Sequence, residues 1–510
     1  MILPLVSERE EMMQNPALHY HQLSSYERSK MDSHALDWEN EPSVYKEYPG
    51  GEVFPIPLEV KMPPVSVFEL FQPQLREENP PPLSFDLLGQ IMLLAEMLTG
   101  RARHANGEIW FRSVASAGAL YPCELYVACP GIAGLSAGLY HYRVKKPALV
   151  QIRTGNLLPE LFEASAPDES RLVFLVSAIF FRSSWKYRDR AYRYHLLDSG
   201  HLLENLLLAL RAFSFAAQVE SNFDDQRVND VLAVDSRREA CLALVRVPFT
   251  PPAATETAVP LSPADGLSRR SQVAAREKFY ETIQQIHQAT SSSLLSGRKK
   301  VPVDDFWSRY RPVAGQSDKE IAPPVTVNEV CSYPDVLLHR RSRRNFVSDE
   351  PLSTSSFHVV ISLVAEAVAS PSFASLGLTC GFLVGSVAGT EPGFYALKTA
   401  DQSLTLVAAG NFLSHMAHAC LDQRWLGKAA VHILLFTDLT ALENAVGARG
   451  YRDVMLAAGR LGQRLYLGAA ALELGCCAVG AFYDREAVEV LELPESANLL
   501  YLLAVGPVKK

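Results

Sequence analysis

The sequence predicts an α+β fold built twice: two domains of mixed sheet flanked by helices, fused in tandem so that one chain forms an intramolecular pseudo-dimer. WKYRDRAYRYHLLDSGHLLENLLLALRAF, from Trp185, aligns without a gap on NAVGARGYRDVMLAAGRLGQRLYLGAAAL, from Asn444. Tyr192-Arg193 falls on Tyr451-Arg452, Gly200 on Gly459, and Phe223 and Asp225 on Phe482 and Asp484, all at an offset of 451 − 192 = 259. Upstream, GLYHYRVKKPALVQIRTG from Gly138 parallels GFYALKTADQSLTLVAAG from Gly393. Helices and strands follow one another without strict βα alternation, which favours α+β over a doubly wound sheet. A duplicated unit covering both halves lets each half play one subunit of an ancestral homodimer.

Residues 1–60 are polar, with aromatics and histidines (His19, Tyr20, His21, Trp38, Tyr45, Tyr48), and read as an extension wrapped on a domain. The first domain is expected over 61–250 and the second over 326–510. The stretch between them, 251–325, is punctuated by Pro251-Pro252, Pro260, Ser291-Ser292-Ser293 and Pro323-Pro324. Helical spacing over Ala274–Ala289 makes it a structured connector. Each domain opens on a helix (Phe85–Leu98; Thr354–Ala369), then a strand (Glu124–Cys129; Gly381–Val387) and a β-hairpin. A further strand follows, VFLVSAIF from Val173 or AVHILLFT from Ala430, and then a long helix with Leu196, Leu203, Leu207 and Leu210 at spacings of three and four. Two short strands close each copy, ending in CLALVRV or LLYLLAVG.

The 510 residues are 48% apolar and 20% charged, ordinary globular values that supply large cores. A formal charge of −8 argues against nucleic acid as the main ligand, so any basic cluster is local. Eight cysteines show no CxxC pair and no zinc spacing, and the adjacent Cys476-Cys477 read as buried thiols. MILPLVSEREEMMQ turns acidic after six residues and lacks a basic leading region, so it does not read as a signal peptide. No apolar run reaches the ~18 residues of a membrane span. A reduced cytoplasmic setting is expected.

Four stretches carry chemistry. Arg340, Arg341, Arg343 and Arg344, broken only by Ser342, put four guanidinium groups into five residues. Such a run is either a solvated charged face or a grip for a dianion, because planar guanidinium forks match phosphate oxygens two at a time. Apolar Leu337-Leu338 and Phe346, a buried anchor, bracket it, and Ser353 is a fitting N-cap for the helix from Thr354. In RSVASAGALYPCELYV, from Arg112, the small residues Ser116, Ala117, Gly118 and Ala119 leave backbone N–H groups uncovered. That loop is either an ordinary tight turn or a face for a flat ligand. In SWKYRDRAYRY, from Ser184, Lys186 and Tyr187 form an acid/base couple or a surface helix entry with a snorkelling lysine. The second copy has Ala445-Val446 there, so the fold does not demand the pair. CCAVGAFYD, from Cys476, is a buried strand breaking at Gly480, where small residues either let a ring edge approach or merely end the strand. Walker A and GxGxxG patterns are absent.

RRSRRNF resembles the FMN-phosphate segment of the nitroreductase superfamily. RSVASAGALYPCELYV, GLYHYRV, WKYRDRAYRY and LGCCAVGAFYD resemble its SagB-type branch, flavin dehydrogenases that oxidise peptide thiazolines and oxazolines to azoles. NPALHYHQLSSYERSKM with LDWENEPSVYKEYPG also looks like the N-terminal segment of that branch. The resemblance implies FMN held at a subunit interface. Arg340, Arg341, Ser342 and Arg344, with Lys509 or Lys510, would hold its phosphate end. Val479, Gly480 and Ala481 would present backbone to the flavin ring, and Gln423 would read its pyrimidine edge. The opposite half would cover the ring with Ser116, Ala117, Gly118 and Ala119, and handle protons with Lys186 and Tyr187.

The copies depart from the pattern in complementary ways. The first has LREENPPPLSF, from Leu75, where the arginines belong; the second has ASPSFASLGLTCGF where SAGALYP belongs, and lacks the Lys-Tyr pair. One composite FMN site per chain and one vestigial site are therefore expected. The substrate would be a modified peptide or a small molecule, with oxygen or NAD(P)H as redox partner. An NAD(P)H-dependent nitroreductase is the rival enzyme, and a degenerate flavin fold serving as a scaffold is the non-enzymatic alternative.

Overall fold

Each copy builds its own sheet, and the two sheets share one strand order. The computed structural model describes residues 15–31, 34–61, 65–72, 82–104, 107–162, 171–249, 266–291, 306–307, 319–320, 331–370, 373, 375–399 and 403–509. The first copy holds β1 (Val53–Pro55), a separate hairpin of β2 (Leu98–His104) and β3 (Gly107–Arg112), β4 (Cys123–Cys129), β5 (Gly138–Arg143), β6 (Ala148–Thr154), β7 (Arg171–Ile179), β8 (Gln218–Glu220) and β9 (Glu239–Pro248). The second holds β10 (Lys319–Glu320), β11 (Thr379–Val384), β12 (Gly393–Lys398), β13 (Ser403–Ala409), β14 (Val431–Asp438), β15 (Gly475–Val479) and β16 (Ala497–Gly506). Among the described residues the sheets run β1-β6-β5-β4-β7-β9-β8 and β10-β13-β12-β11-β14-β16-β15, the same order strand for strand. The duplication read from one helix thus extends to the whole domain.

Helices and strands mix as expected, while every described pairing between the named strands is antiparallel. The parallel component comes from isolated bridges, among them Ser342 to Cys476 on the edge strand β15. The short turns joining β4 to β5 to β6 require antiparallel pairing, since a parallel neighbour needs a long crossover. The central strand β4 is buried at all seven positions, which is why CELYVAC shows no polar alternation.

The long helices, Ala191–Ala212 and Arg449–Ala471, are buried almost all round; in the first, every residue from Ala191 to Leu210 is buried. A helix so enclosed must satisfy its polar side chains internally. The helix Thr354–Ala369 begins as predicted, with Ser353 Oγ accepting from Ser356 N. Its counterpart, Phe85–Ala95, ends three residues before the expected Leu98, because Leu98 opens the hairpin β2–β3.

Two compact units result. The first unit comprises Ala35–Ser296 with Ser332–Leu338; the second comprises Met1–His34, Gly297–Cys331 and His339–Lys510. The N-terminal helix Pro16–Leu23 therefore belongs with the second copy, and the connector helix Glu281–Thr290 with the first. These helices are themselves copies. His21 Nδ1 lies 3.3 Å from Tyr451 Oη, and His287 Nδ1 lies 3.3 Å from Tyr192 Oη, the equivalent tyrosine. Ser25 Oγ donates to His21 O at 2.7 Å as Ser291 Oγ donates to His287 O at 2.8 Å. Each copy of the duplicated gene thus contributed its leading helix to the other copy's domain.

Buried charge fastens the segment before β1 to the first unit. Lys46 is ion-paired with Glu239 and donates to Tyr126 Oη at 2.8 Å; Ser177 and Ser271 hydroxyls also donate to Glu239. Arg182 donates to Ser43 O at 2.8 Å and pairs with Glu124 at 2.6 Å, whose other oxygen meets His141 Nε2 at 2.6 Å. Burial pushes the Glu124 carboxyl up, but Arg182 and His141 outweigh it and hold the group at about 2. A depressed carboxylate contributes stability that is full above its ordinary value and lost as pH falls from about 4.5 to about 2. Glu124→Gln is expected to cost about 3 kcal/mol at neutral pH, since it strands Arg182 and His141. It should also flatten the acid limb of the stability curve in that window, as urea titrations at stepped pH would record.

Candidate functional site

In the first unit the small-residue loop and the Lys-Tyr pair meet. Lys186 and Tyr187 end the helix Phe180–Tyr187, after which Arg188 turns the chain with φ 52°. Both side chains are half-buried, and Lys186 Nζ stands 5.4 Å from the centre of the Tyr187 ring. Gly118 sits against them with φ 66°: a Cβ there would lie 2.7 Å from Tyr187 Oη and 3.2 Å from Lys186 Nζ. Glycine suits this backbone conformation and leaves the tips of both side chains in place at the loop apex. Ser116, Ala117 and Ala119 are half-buried beside it and Gly118 is exposed, so the loop presents backbone.

A residue that the sequence did not single out holds this loop. Asp198, inside the long helix, accepts from Ser116 Oγ at 2.6 Å, and both its oxygens lie 3.3 Å from Ala117 N. Ser116 Oγ in turn accepts from Tyr121 N at 2.9 Å. Burial pushes the Asp198 carboxyl up to about 7 against the pull of those donors. Its only sequence signal is an acid in a run of leucines where the second copy has Ala457.

In the second unit the arginine segment lies along β15. Ser342 bridges Cys476, and Arg343 N donates to Cys476 O at 3.0 Å. Gly475 permits this, because a Cβ would meet Arg343 Cβ at 3.1 Å and Val508 Cγ1 at 2.1 Å. Tyr466, from the long helix Arg449–Ala471, braces both strands: its hydroxyl accepts from Ala478 N at 2.8 Å and lies 2.9 Å from Ser342 Oγ. The Arg340 guanidinium is buried, 5.3 Å over the Tyr466 ring. Arg341 is half-buried, while Ser342, Arg343 and Arg344 are exposed. Lys509 N donates to Asn345 O at 3.1 Å and Asn345 Nδ2 donates to Lys509 O at 2.9 Å, which brings Lys509 beside the arginines. Lys510 lies outside the described residues. Phe346 is buried, as expected, stacked on Trp425 at 6.1 Å, and Arg344 covers the same indole at 5.6 Å. Gln423 begins that Trp425 turn and donates through Nε2 to Cys420 O at 2.9 Å. Val479 ends β15, and Gly480 and Ala481 follow half-buried.

These donors fit a phosphate. Permanent guanidinium charges, a hydroxyl and an ammonium share one short edge, and the segment 338–346 contains no carboxylate to cancel them. The half-buried backbone of Gly480 and Ala481, without bulky side chains, suits the approach of a planar ring. All eight cysteines are free thiols and seven are buried. Among the described residues no cluster suits a metal ion and no helix is long and apolar enough to cross a membrane.

Comparison with known proteins gives the class. The nitroreductase family matches residues 76–247 and 337–507, once per copy, and the chain belongs to that family of flavin-binding oxidoreductases. It is similar to TfxB of Rhizobium leguminosarum bv. trifolii, a trifolitoxin-processing protein, with 32% identity over 174 residues, 32% of this chain and 47% of that one. It is also similar to McbC of Escherichia coli, a microcin B17-processing protein, with 29% identity over 140 residues, 26% of this chain and 52% of that one. The chain thus spans about half the length of these two relatives. A crystal structure from Anabaena variabilis described as a nitroreductase matches 97% of this chain and 100% of its own, with 26% identity and a TM-score of 0.77.

Proposed function

We propose that the chain is an FMN-dependent dehydrogenase of the SagB type that oxidises azoline rings in a modified peptide to azoles, with one FMN per chain served by residues of both units. The segregation of parts supports this reading. The arginine grip exists only in the second unit, and the Gly118 loop with Lys186 and Tyr187 only in the first. Both losses fall on the same composite site and leave the other whole, whereas losses striking at random would as often disable both sites. The names of TfxB and McbC, processing proteins of trifolitoxin and microcin B17, support a substrate that is a toxin precursor under modification.

Bound FMN would supply the two-electron redox chemistry. The protein's share is placement and proton handling. Arg340, Arg341, Ser342 and Arg344, with Lys509 or Lys510, would hold the phosphate; Val479, Gly480 and Ala481 would offer backbone to the ring, and Gln423 its amide to the pyrimidine edge. Ser116 to Ala119 shield the substrate side. Lys186 Nζ or Tyr187 Oη takes the proton that leaves the azoline carbon: desolvation brings an amine toward neutral pH, and a neighbouring ammonium does the same for a phenol. Oxygen would regenerate the oxidised cofactor.

Quantifying FMN released from purified protein tests the shared site: about one per chain is expected, and a value near two would sink it. A second reading, an NAD(P)H-dependent nitroreductase acting on a small electrophile, is favoured by the full-length likeness to the Anabaena protein. Turnover of an azoline-containing peptide, set against NADPH consumption with a nitroarene, decides between the two.

A further inference from the structure

We propose that Asp198 is a positioning residue: its carboxylate latches the Ser116–Tyr121 loop so that Gly118 stays against Lys186 and Tyr187. This rests on the reading of that loop as the cover of the flavin site. The loop does not hold its shape by local preference. Gly118, Ala119 and Tyr121 have φ of 66°, 55° and 43°, in the left-handed region that alanine and tyrosine seldom adopt. Within the loop the backbone turns are weak, Ala119 N to Ser116 O at 3.2 Å and Leu120 N to Ala117 O at 3.4 Å, and its far end is held in addition where Arg182 Nη1 donates to Tyr121 O at 3.0 Å. The stronger constraint comes from the helix. Asp198 binds Ser116 and Ala117, and Ser116 Oγ passes the restraint on to Tyr121 N. One carboxylate thereby ties both ends of a four-residue tip whose apex touches the acid/base pair.

The duplication supplies an internal control. The equivalent helix, Arg449–Ala471, forms with Ala457 in place of Asp198, so the fold does not need the acid there. The same copy carries Ala445-Val446 in place of Lys186-Tyr187 and has lost the small-residue loop. A buried carboxylate, kept at the expense of dehydration, survives only where loop and acid/base pair survive.

Hydrogen exchange on the full chain tests this without reference to turnover. In Asp198→Ala, exchange in the peptide spanning residues 113–122 should rise about tenfold, while the long helix keeps its protection. Ser116→Ala should give a smaller rise, and the double variant no more than Asp198→Ala alone, as one latch requires. Unchanged loop exchange in both single variants, strictly additive effects, or acceleration spread through the helix would overturn the proposal. With FMN added, visible circular dichroism separates the latch from the functional reading. A changed flavin spectrum in Asp198→Ala supports both. A loosened loop with an unchanged spectrum keeps the latch and removes the loop from the flavin site.

Discussion

Alanine at both Arg340 and Arg341 is expected to yield a colourless protein that takes up added FMN at least 100-fold more weakly. Hydrogen bonds to a charged group contribute about 1.5–3 kcal/mol each. Losing two guanidinium forks therefore costs roughly 3–6 kcal/mol, or a factor between about 150 and 20,000. Arg340 matters most by this argument. It is buried over the Tyr466 ring, where low polarity strengthens its pull on an anion, whereas Arg343 and Arg344 face water. Arg341 is shaped by its neighbour, its Nη1 donating to Arg340 O at 2.6 Å. Lysine at position 340 should recover only part of the affinity, because an ammonium cannot reproduce a planar fork. Thermal stability should fall modestly, since the buried Arg340 side chain gives up its packing on Tyr466. Substitutions at Arg76 or Glu77, where the first copy lacks the arginines, should leave FMN uptake unchanged. Full FMN retention in the double variant would return the cluster to a solvated charged face, measured by equilibrium dialysis or flavin fluorescence.

What the sequence made legible was whatever repeated over a long span or carried an unusual residue type. The ungapped helix match exposed the duplication, and both sheets then proved identical in strand order. Ser353 and Phe346 were readable because an N-cap and an apolar anchor act within a few residues of their own position. Of the leading helices only the second was expected, within Ala274–Ala289, and it begins later, at Glu281; the kinship of the two escaped notice. Pro16–Leu23 and Glu281–Thr290 share little beyond His-Gln, and their offset, 287 − 21 = 266, differs from the 259 of the main match. Their kinship appears only in the repeated His–Tyr contact, a tertiary fact. The hairpin β2–β3 was hidden behind a helix pattern that continued through Leu98. Asp198 and Tyr466 were missed for a common reason: each acts from inside a long helix on a segment far away in the chain. No local pattern marks which polar residue of an enclosed helix has such a partner.

Lys186→Ala should keep the yellow colour and lose turnover, with kcat falling about 100- to 10,000-fold, the usual share of a general acid or base. The residue stands in the first unit, away from the arginine segment in sequence and unit, so cofactor content should stay at the wild-type level. Folding should tolerate the change. The helix Leu439–Val446 forms with Ala445-Val446 in the corresponding positions, and Lys186 itself is only half-buried. Tyr187→Phe distinguishes the two members of the pair. The ring remains, packed 4.5 Å from Tyr194, and only the hydroxyl near the Gly118 apex is removed. If Tyr187 Oη takes the proton and Lys186 lowers its basicity, both variants lose turnover and the alanine variant regains part of it at high pH. If Lys186 Nζ takes the proton, Tyr187→Phe keeps most of its rate and Lys186→Ala is not rescued by alkali. Wild-type turnover in both variants, with FMN still bound, would remove the pair from the chemistry and favour the nitroreductase reading, which needs no residue to abstract a carbon-bound proton.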